Sequence, residues 1–302
     1  MLRRVPADLL LLTATLVWSL HWPVAKYAFQ EGIGPIAYMA IRSVVGALVL
    51  ATVTLGTEGT LRIERLDRRA VVVAGLVGIV AYQVTVALSI DHTTASTSAL
   101  VYGTVPIFVV LFARLAGTER LSGRVLGAAA LSFAGVALVA LGAEGDVSGD
   151  PVGILLALVA AATWGFYTVV VAPLMRRYSA WRVSTALLLV GAVPLTAAAA
   201  VELAQEDWGA LGALAWLALA YGTLLAFVLN TILWFTAIHR VGPSRSAIYA
   251  NLQPFGGAVF AVALLSEHLG WVQIVGGVII GVGILVARRT GRPRGQTGSR
   301  PS

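Results

Sequence analysis

The chain has 302 residues, a hydrophobic fraction of 58%, only 12% charged residues and no cysteine, and its mean hydropathy is +0.87. A soluble domain carries about 25% charge, so most of this chain must meet lipid or other membrane helices, and disulfides, Cys-based zinc sites and Cys nucleophiles are excluded. The net charge of +7 would suit nucleic acid, but its distribution along the chain points to membrane topology instead.

Apolar runs of roughly 17–25 residues are what helical membrane spans require, and ten are read in chain order. The first, Leu9–Phe29, is too long for a signal-peptide core and ends without a clean small-residue cleavage site, so it stays in the protein. It carries Trp18, His21, Trp22 and Lys26 at spacings of three and four residues, which place several of them on one face. Pro23 removes a helix hydrogen bond there and kinks or hinges the segment. Pro35–Leu55 holds Arg42 about two turns inside its outer end, where a fixed charge needs carbonyls, water or an acid such as Asp91 or Glu31. Ala70–Ile90 supplies Tyr82 and Gln83, Ala95–Leu115 supplies Tyr102 and Thr104 ahead of Pro106, and Gly123–Leu141 closes the first half.

Val152–Val171 and Val183–Val201 open the second half. Leu211–Phe235 carries Tyr221, Asn230 and Trp234, and Ser246–Leu265 carries Tyr249, Asn251 and Gln253. Trp271–Ala287 ends the apolar part, its Gly277 and Gly281 forming a GxxxG expected to pack on the fifth span. Polar side chains inside spans either line a cavity or act as interhelical hydrogen-bond glue, and both readings stay open for these.

All 21 Lys and Arg residues except Lys26 and Arg42 fall at one set of span ends. The opposite ends carry Glu31, Asp91, Glu144, Asp146, Asp150, Glu202, Glu206, Asp207 and Glu267. By the positive-inside rule the basic ends are cytoplasmic, so both termini lie inside. Residues 288–302, rich in Arg, Gly, Pro and Ser, read as a disordered basic cytoplasmic tail that fixes topology or rests on anionic lipid.

Ser98-Ala99, Pro106, Glu119, Leu121 and Gly135 recur as Ser246-Ala247, Pro254, Glu267, Leu269 and Gly283, all at one offset of 148. An odd number of spans separates the copies, so the second enters the bilayer from the opposite side. The expected fold is all-α and integral to the membrane: ten transmembrane helices as two inverted five-helix repeats, residues 1–150 and 151–287, followed by the tail. Inverted repeats typify secondary transporters, which hold substrate near the midplane where the repeats meet. Glu119 and Glu267 are expected to cap the fifth and tenth helices, where a carboxylate near an N-terminus stabilises by about 0.3–1 kcal/mol.

The repeats resemble the ten-helix EamA group of the drug/metabolite transporter superfamily over nearly the whole chain. The resemblance rests on Trp18, Pro23 and Lys26, on Arg42, on Ala95-Ser96-Thr97-Ser98-Ala99 leading to Pro106, and on Gly117-Thr118-Glu119-Arg120-Leu121. In the second copy it rests on Trp164-Gly165, on Ser246-Ala247 leading to Pro254, and on Ser266-Glu267-His268-Leu269. That copy departs from the first in lacking an equivalent of Arg42 and the Pro and Lys of the first helix. The resemblance implies a central cavity walled by helices 1, 3, 4, 6, 8 and 9, with helices 5 and 10 packed together as support. The substrate-binding candidates are then Trp18, His21, Trp22, Lys26, Arg42, Tyr82, Tyr102, Trp164, Asn230, Trp234, Tyr249 and Gln253. Lys26 either attracts an anionic group or snorkels to the surface, and Arg42, frequent at this place in the family, is a structural anchor or a substrate contact.

No Asp or Glu lies near the middle of any span. That positive bias disfavours an organic cation, so the cargo is expected to be neutral, zwitterionic or carboxylate-bearing. His21, with an ordinary pKa of about 6.5, is the candidate for proton coupling. No HExxH or Walker sequence occurs, and Ala143-Glu144-Gly145-Asp146 lacks the first Gly of an intramembrane protease motif. The chain is therefore expected to be a secondary-active transporter rather than an enzyme, with no metal and no cofactor. The reading is an exporter of small metabolites or amino-acid-like compounds, working by alternating access in the cell inner (plasma) membrane. An importer and a lipid-handling permease of the same fold are the alternatives, and an intramembrane enzyme is the remote one. Its partners are a small-molecule substrate and membrane lipid, not nucleic acid, and its oligomeric state is left open, with a monomer sufficient.

Overall fold

A computed structural model describes residues 5–117, 123–142, 150–241 and 249–290, and all regular structure among them is helical. Seven helices are long and apolar enough to cross a membrane, and three shorter apolar helices, Leu126–Leu141, Gln253–Leu265 and Trp271–Val286, accompany them. The chain is a multi-pass membrane protein. We label the principal helices α1 (Ala7–Gln30), α2 (Pro35–Glu58), α3 (Arg65–His92), α4 (Ala95–Leu115), α5 (Gly123–Leu141), α6 (Pro151–Arg177) and α7 (Ala180–Ala198). They continue with α8 (Ala213–Ala220, Tyr221–Leu229 and Asn230–Val241), α9 (Gln253–Leu265) and α10 (Trp271–Thr290). Glu119, Leu121, Ser246 and Ala247 of the repeat lie outside the described residues.

Local chemistry sets the helix ends. Pro35 and Pro151 start α2 and α6 with a φ already suited to the first turn. At α2 the Glu206 and Glu202 carboxylates accept the N–H groups of Gly34 at 2.9 Å and Ala37 at 2.8 Å. At α6 the Asp150 side chain accepts the Val152 N–H at 2.8 Å, and that bond holds its carboxyl below the usual carboxylate range. Gly59 closes α2 at φ +68, a left-handed conformation that needs glycine. α1 runs unbroken through Pro23. α10 continues to Thr290, so the first residues of the expected tail are helical. No helix breaker precedes Gly291 there; residues 291–302 lie outside the described set.

Four irregularities sit inside otherwise continuous apolar runs. α4 is interrupted at Gly103-Thr104, between Ala95–Tyr102 and Val105–Leu115. Residues 249–250 are helical, Asn251-Leu252 form a turn, and α9 begins at Gln253. The two interruptions are 148 residues apart, and each is followed two residues later by a proline, Pro106 or Pro254. Wide π turns occupy Leu76–Ala81 in α3 and Tyr221–Leu229 in α8, again overlapping at the same offset. Such turns are rare and concentrate at functional sites.

The main helix pairings are α5 with α10, α2 with α7, α4 with α9, α1 with α8 and α9, α6 with α3 and α4, α3 with α7, and α2 with α8. The α5–α10 contact is backbone-close: a Cβ at Gly135 would stand 2.7 Å from the Gly276 carbonyl, and one at Gly276 would stand 2.6 Å from the Gly135 carbonyl. Gly283 abuts Ser132 on the same interface. The GxxxG expectation is thereby corrected, because Gly277 faces Leu100 of α4 and Gly281 faces Phe255 of α9. The helix rotation that brings Gly276 and Gly283 onto α5 turns the intervening glycines toward other neighbours.

Contacts between helix ends gather the carboxylates Glu31, Asp91, Asp150, Glu202, Glu206 and Glu267 at one end, and Arg177 and Arg182 meet Glu64, Asp67 and Glu58 at the other, the arginine end. At the acidic end one continuous core joins Trp22, Tyr38, Ile90, Ala99, Ala161, Leu195, Leu219 and Ala261, drawn from eight helices. At the arginine end the core divides. One pack joins α2, α3, α6 and α7 around Leu50, Ala74, Leu174 and Leu187; another joins α1 and α8 around Leu11 and Leu233, with Tyr249 against it.

Glu267 does not cap α10. Its carboxylate accepts the N–H groups of Ala95 at 2.8 Å and Ser96 at 2.9 Å and the Ser96 hydroxyl at 2.6 Å, so it caps α4 across the acidic end. Residues 266–270 form no helix before α10 begins at Trp271, and there the Gln273 side-chain oxygen accepts the Gly270 N–H at 3.0 Å. At the arginine end Glu58 binds Arg182 through Nε (3.0 Å) and Nη2 (2.7 Å) and also accepts the Ser179 hydroxyl, tying α2 to α7. Glu58→Gln is expected to remove about 1 kcal/mol of stability, seen as a lower thermal midpoint in detergent; an unchanged midpoint would contradict it.

Candidate functional site

The site is built on the central stretch of α1, where the adjacent residues His21 and Trp22 meet different neighbours. On one side Trp22 begins a file of rings that crosses the bundle. Its ring lies 5.3 Å from Tyr102 on α4, Tyr102 lies 5.9 Å from Tyr82 on α3, and Tyr82 lies 4.7 Å from Trp164 on α6. Trp164 continues to Tyr167 at 4.9 Å. Edge-tilted aromatic contacts of this kind give a rigid apolar wall. Gly78, in the α3 π turn, makes room for it, since a Cβ there would strike the Tyr167 ring. The Trp22 Nε1–H is buried with no partner.

On the other side His21 meets α2 and α8. Its ring stacks on Tyr38 at 5.9 Å, and its Nε2 lies 2.8 Å from Arg42 Nη1. Arg42 also donates from Nη1 to Met39 Sδ at 3.0 Å, and its guanidinium carbon lies 5.5 Å from the Tyr38 ring and 5.0 Å from the Phe227 ring. A side chain at Gly222 would occupy the place of the Tyr38 hydroxyl, so glycine lets α8 approach α2 here. Closer to the arginine end, Trp18 meets Trp234 at 5.0 Å.

The helix interruptions complete the centre. Pro106 has no N–H to offer the Tyr102 carbonyl, and Ile107 N–H turns to Thr104 at 2.9 Å. In α9, Pro254 likewise leaves the Ala250 carbonyl without its helical donor. A Cβ at Gly103 would lie 3.5 Å from Pro254 Cβ, so the two interruptions face each other. Ser19 of α1 donates to the Gln253 carbonyl at 3.1 Å and fixes α1 against that point.

The sequence candidates thus divide. Trp22, Tyr82, Tyr102 and Trp164 come together in the ring file, His21 and Arg42 form one pair, and Trp18 joins Trp234. Gln253 sits at the interruption of α9, with its backbone engaged by α1. Lys26 is only 8% exposed and lies at the acidic end, where Nζ donates to the Asp91 carbonyl at 2.8 Å; it neither snorkels freely nor joins Arg42. The acids expected for Arg42 are not its partners: His21 takes that place. Asn230 is fully buried and donates from Nδ2 to the Ala14 carbonyl at 3.0 Å, and Tyr249 donates to Asp8 at 2.9 Å, so both bind α1 to its neighbours. Sequence reading missed Tyr38, Phe227 and Tyr167. Tyr38 left a signal: it precedes Arg42 by one helical turn and shares its face.

The comparisons agree with this architecture. The description "EamA-like transporter family" applies to residues 5–141 and again to 151–289, one match for each half. The chain is 26% identical over 289 residues to the "Probable terminal-alkyne amino-acid exporter" of Streptantibioticus cattleyicolor, covering 94% of both chains. It is 27% identical over 215 residues to the "Uncharacterized transporter YdeK" of Bacillus subtilis, covering 70% of this chain and 72% of that one. A solved crystal structure at 21% identity shares the fold, with a TM-score of 0.63 over 94% of this chain and 99% of its own. A polytopic helical bundle with a polar, aromatic centre, matched twice along its length, places this chain in the EamA-like transporter family.

Proposed function

We propose that the chain is a secondary-active exporter of small, amino-acid-like metabolites, moving them by alternating access. All ten helices cross the bilayer, residues 1–150 and 151–287 form inverted repeats, and the site is the groove between the ring file and the His21–Arg42 pair. The observation that carries this reading is the pair of interruptions at Gly103-Thr104 and Asn251-Leu252, equivalent in sequence and adjacent in space. Broken helices that meet near the midplane are where secondary transporters bind and rock. The pairing pattern supports it too: exchanging α1–α5 with α6–α10 leaves every main contact in place.

The arginine end faces the cytoplasm of the inner membrane, with both termini inside. The joined core at the acidic end and the divided core at the arginine end make this conformation closed outward and parted inward. Trp18, His21, Trp22, Arg42, Tyr82, Tyr102, Trp164, Trp234 and Gln253 contact the cargo; Lys26, Asn230 and Tyr249 hold the helices that carry them. The name of the Streptantibioticus relative supports an amino-acid-like cargo and export. The protein works with a small-molecule substrate and its lipid surroundings, and a single chain holds the complete groove.

The test is efflux of a labelled amino-acid mixture from proteoliposomes containing the full chain. Faster loss than from protein-free liposomes is expected, and equal loss would overturn the reading. Accumulation against an outward gradient would replace export with import.

A further inference from the structure

Resting on that transport reading, we propose that Arg42 is the carboxylate-binding residue of the cargo site, receiving the anionic group on the free edge of its guanidinium. Both of its hydrogen bonds among the described residues leave from Nη1, to His21 Nε2 and to Met39 Sδ. Arginine cannot accept, so His21 presents a lone pair at Nε2 and carries its proton on Nδ1, the atom beside the Tyr38 hydroxyl at 3.5 Å. Both acceptors of Arg42 are therefore neutral.

Among the described residues Nε is buried with no partner and no bond leaves Nη2. Nε–H and Nη2–H lie side by side along one edge of the guanidinium, and a carboxylate fits two such parallel donors at once. The Tyr38 and Phe227 rings lie against the guanidinium, so an anion would meet it along that edge.

A fixed charge only 5% exposed is unfavourable in a membrane interior unless an anion accompanies it. The ion pairs among the described residues, His92–Asp150, Arg177–Glu64, Arg177–Asp67 and Arg182–Glu58, all lie at the helix ends. Lys26 has Asp91 and Glu267 near it. Among the described residues no carboxylate pairs with Arg42, and the geometry assigns that role to the cargo. His21 is a positioning residue: by engaging Nη1 it fixes the guanidinium and leaves the Nε–Nη2 edge without a bond among the described residues. The cargo class that follows is a small organic acid or zwitterion with an apolar or aromatic body for the ring file, selected over its neutral amide and over permanent cations.

The experiment measures thermal midpoints of the full chain in detergent with acetate, benzoate and L-leucine at millimolar concentration, each against its amide. At least one acid is expected to raise the midpoint by about 3 °C over its amide. Arg42→Gln is expected to erase that difference. Arg42→Lys, which keeps the charge and loses the fork, is expected to raise the half-saturating concentration about tenfold.

Equal shifts for every acid and amide in the native chain would overturn the proposal without any variant. So would an acid-specific shift that survives Arg42→Gln, or that is unaltered by Arg42→Lys if the glutamine variant does not fold. Efflux is scored separately on the same preparation. An acid-specific shift without efflux keeps the anion site and removes the transport reading; efflux without the shift does the reverse.

Discussion

Transport is expected to stop when cysteines introduced by Ala99→Cys and Gly257→Cys are oxidised to a disulfide, and to return on reduction. A Cβ at position 257 would stand 3.0 Å from Ala99 Cβ, a few tenths of an ångström inside the roughly 3.5–4.5 Å that a disulfide spans. The native chain has no cysteine, so no other thiol competes. The bond joins α4 to α9 within the continuous core at the acidic end, and alternating access requires that core to part. Trp22 Cδ1 would lie 2.8 Å from the new Cβ, so Gly257→Cys alone measures what displacing Trp22 does. Efflux from proteoliposomes, followed before oxidation, after it and after reduction, is the readout. Full activity in the oxidised protein would mean that α4 and α9 stay together throughout transport, and the alternating-access reading would fail.

Gly276→Leu is expected to abolish the folded protein. Atoms within 3 Å of a Cβ at 276 include the Gly135 carbonyl oxygen at 2.6 Å and the Val139 backbone nitrogen at 2.7 Å. A side-chain neighbour can change rotamer, but a helix backbone cannot, so α5 and α10 must separate along their length. Overpacking in a well-filled core typically destabilises by about 1–3 kcal/mol, and a backbone collision lies at or above the top of that range. Size-exclusion chromatography should show aggregated or absent Gly276→Leu protein. Gly277→Ala is the contrast, because its neighbour at 3.1 Å is the flexible Leu100 side chain, and it should remain monodisperse. A monodisperse Gly276→Leu with the native thermal midpoint would show that the α5–α10 contact does not support the fold.

The apolar runs of this chain revealed its helices because span length is set by the bilayer, and a run such as Ala95–Leu115 is bounded by residues that lipid does not tolerate. What happens inside a run is less visible. Gly103-Thr104 and Asn251-Leu252 interrupt helices without interrupting hydrophobicity; only Pro106 and Pro254 mark the places, and it is their common offset that gives the marks meaning. The GxxxG of Gly277 and Gly281 misled because a motif states spacing and not rotation, and rotation is decided by all the neighbours of α10 together. Glu267 was recognised as a cap but assigned to the wrong helix, since sequence proximity favours α10 while the fold brings the start of α4 closer. In the site, Trp22, His21 and Arg42 stood out as costly residues inside spans. Asn230 stood out in the same way, and nothing in its surroundings along the chain reveals that its Nδ2 is taken by the Ala14 carbonyl.

More than half of the fully buried side chains in the acidic-end core are alanine, among them Ala25, Ala28, Ala87, Ala95, Ala99, Ala160, Ala161, Ala215, Ala218 and Ala261. A methyl group loses about 0.8 kcal/mol when it passes from an apolar contact to water, whereas a buried leucine loses about 1.5–3 kcal/mol. A gate faced with alanine is therefore watertight through closeness of backbone rather than through depth of side chain, and it parts with a small loss per residue. Were that end to open as proposed, a small loss per residue would favour an energy gap of the size that a modest ligand can shift. On the proposed alternating-access reading, the smallness of these residues would set how readily that end opens, while the large rings behind it would select the cargo.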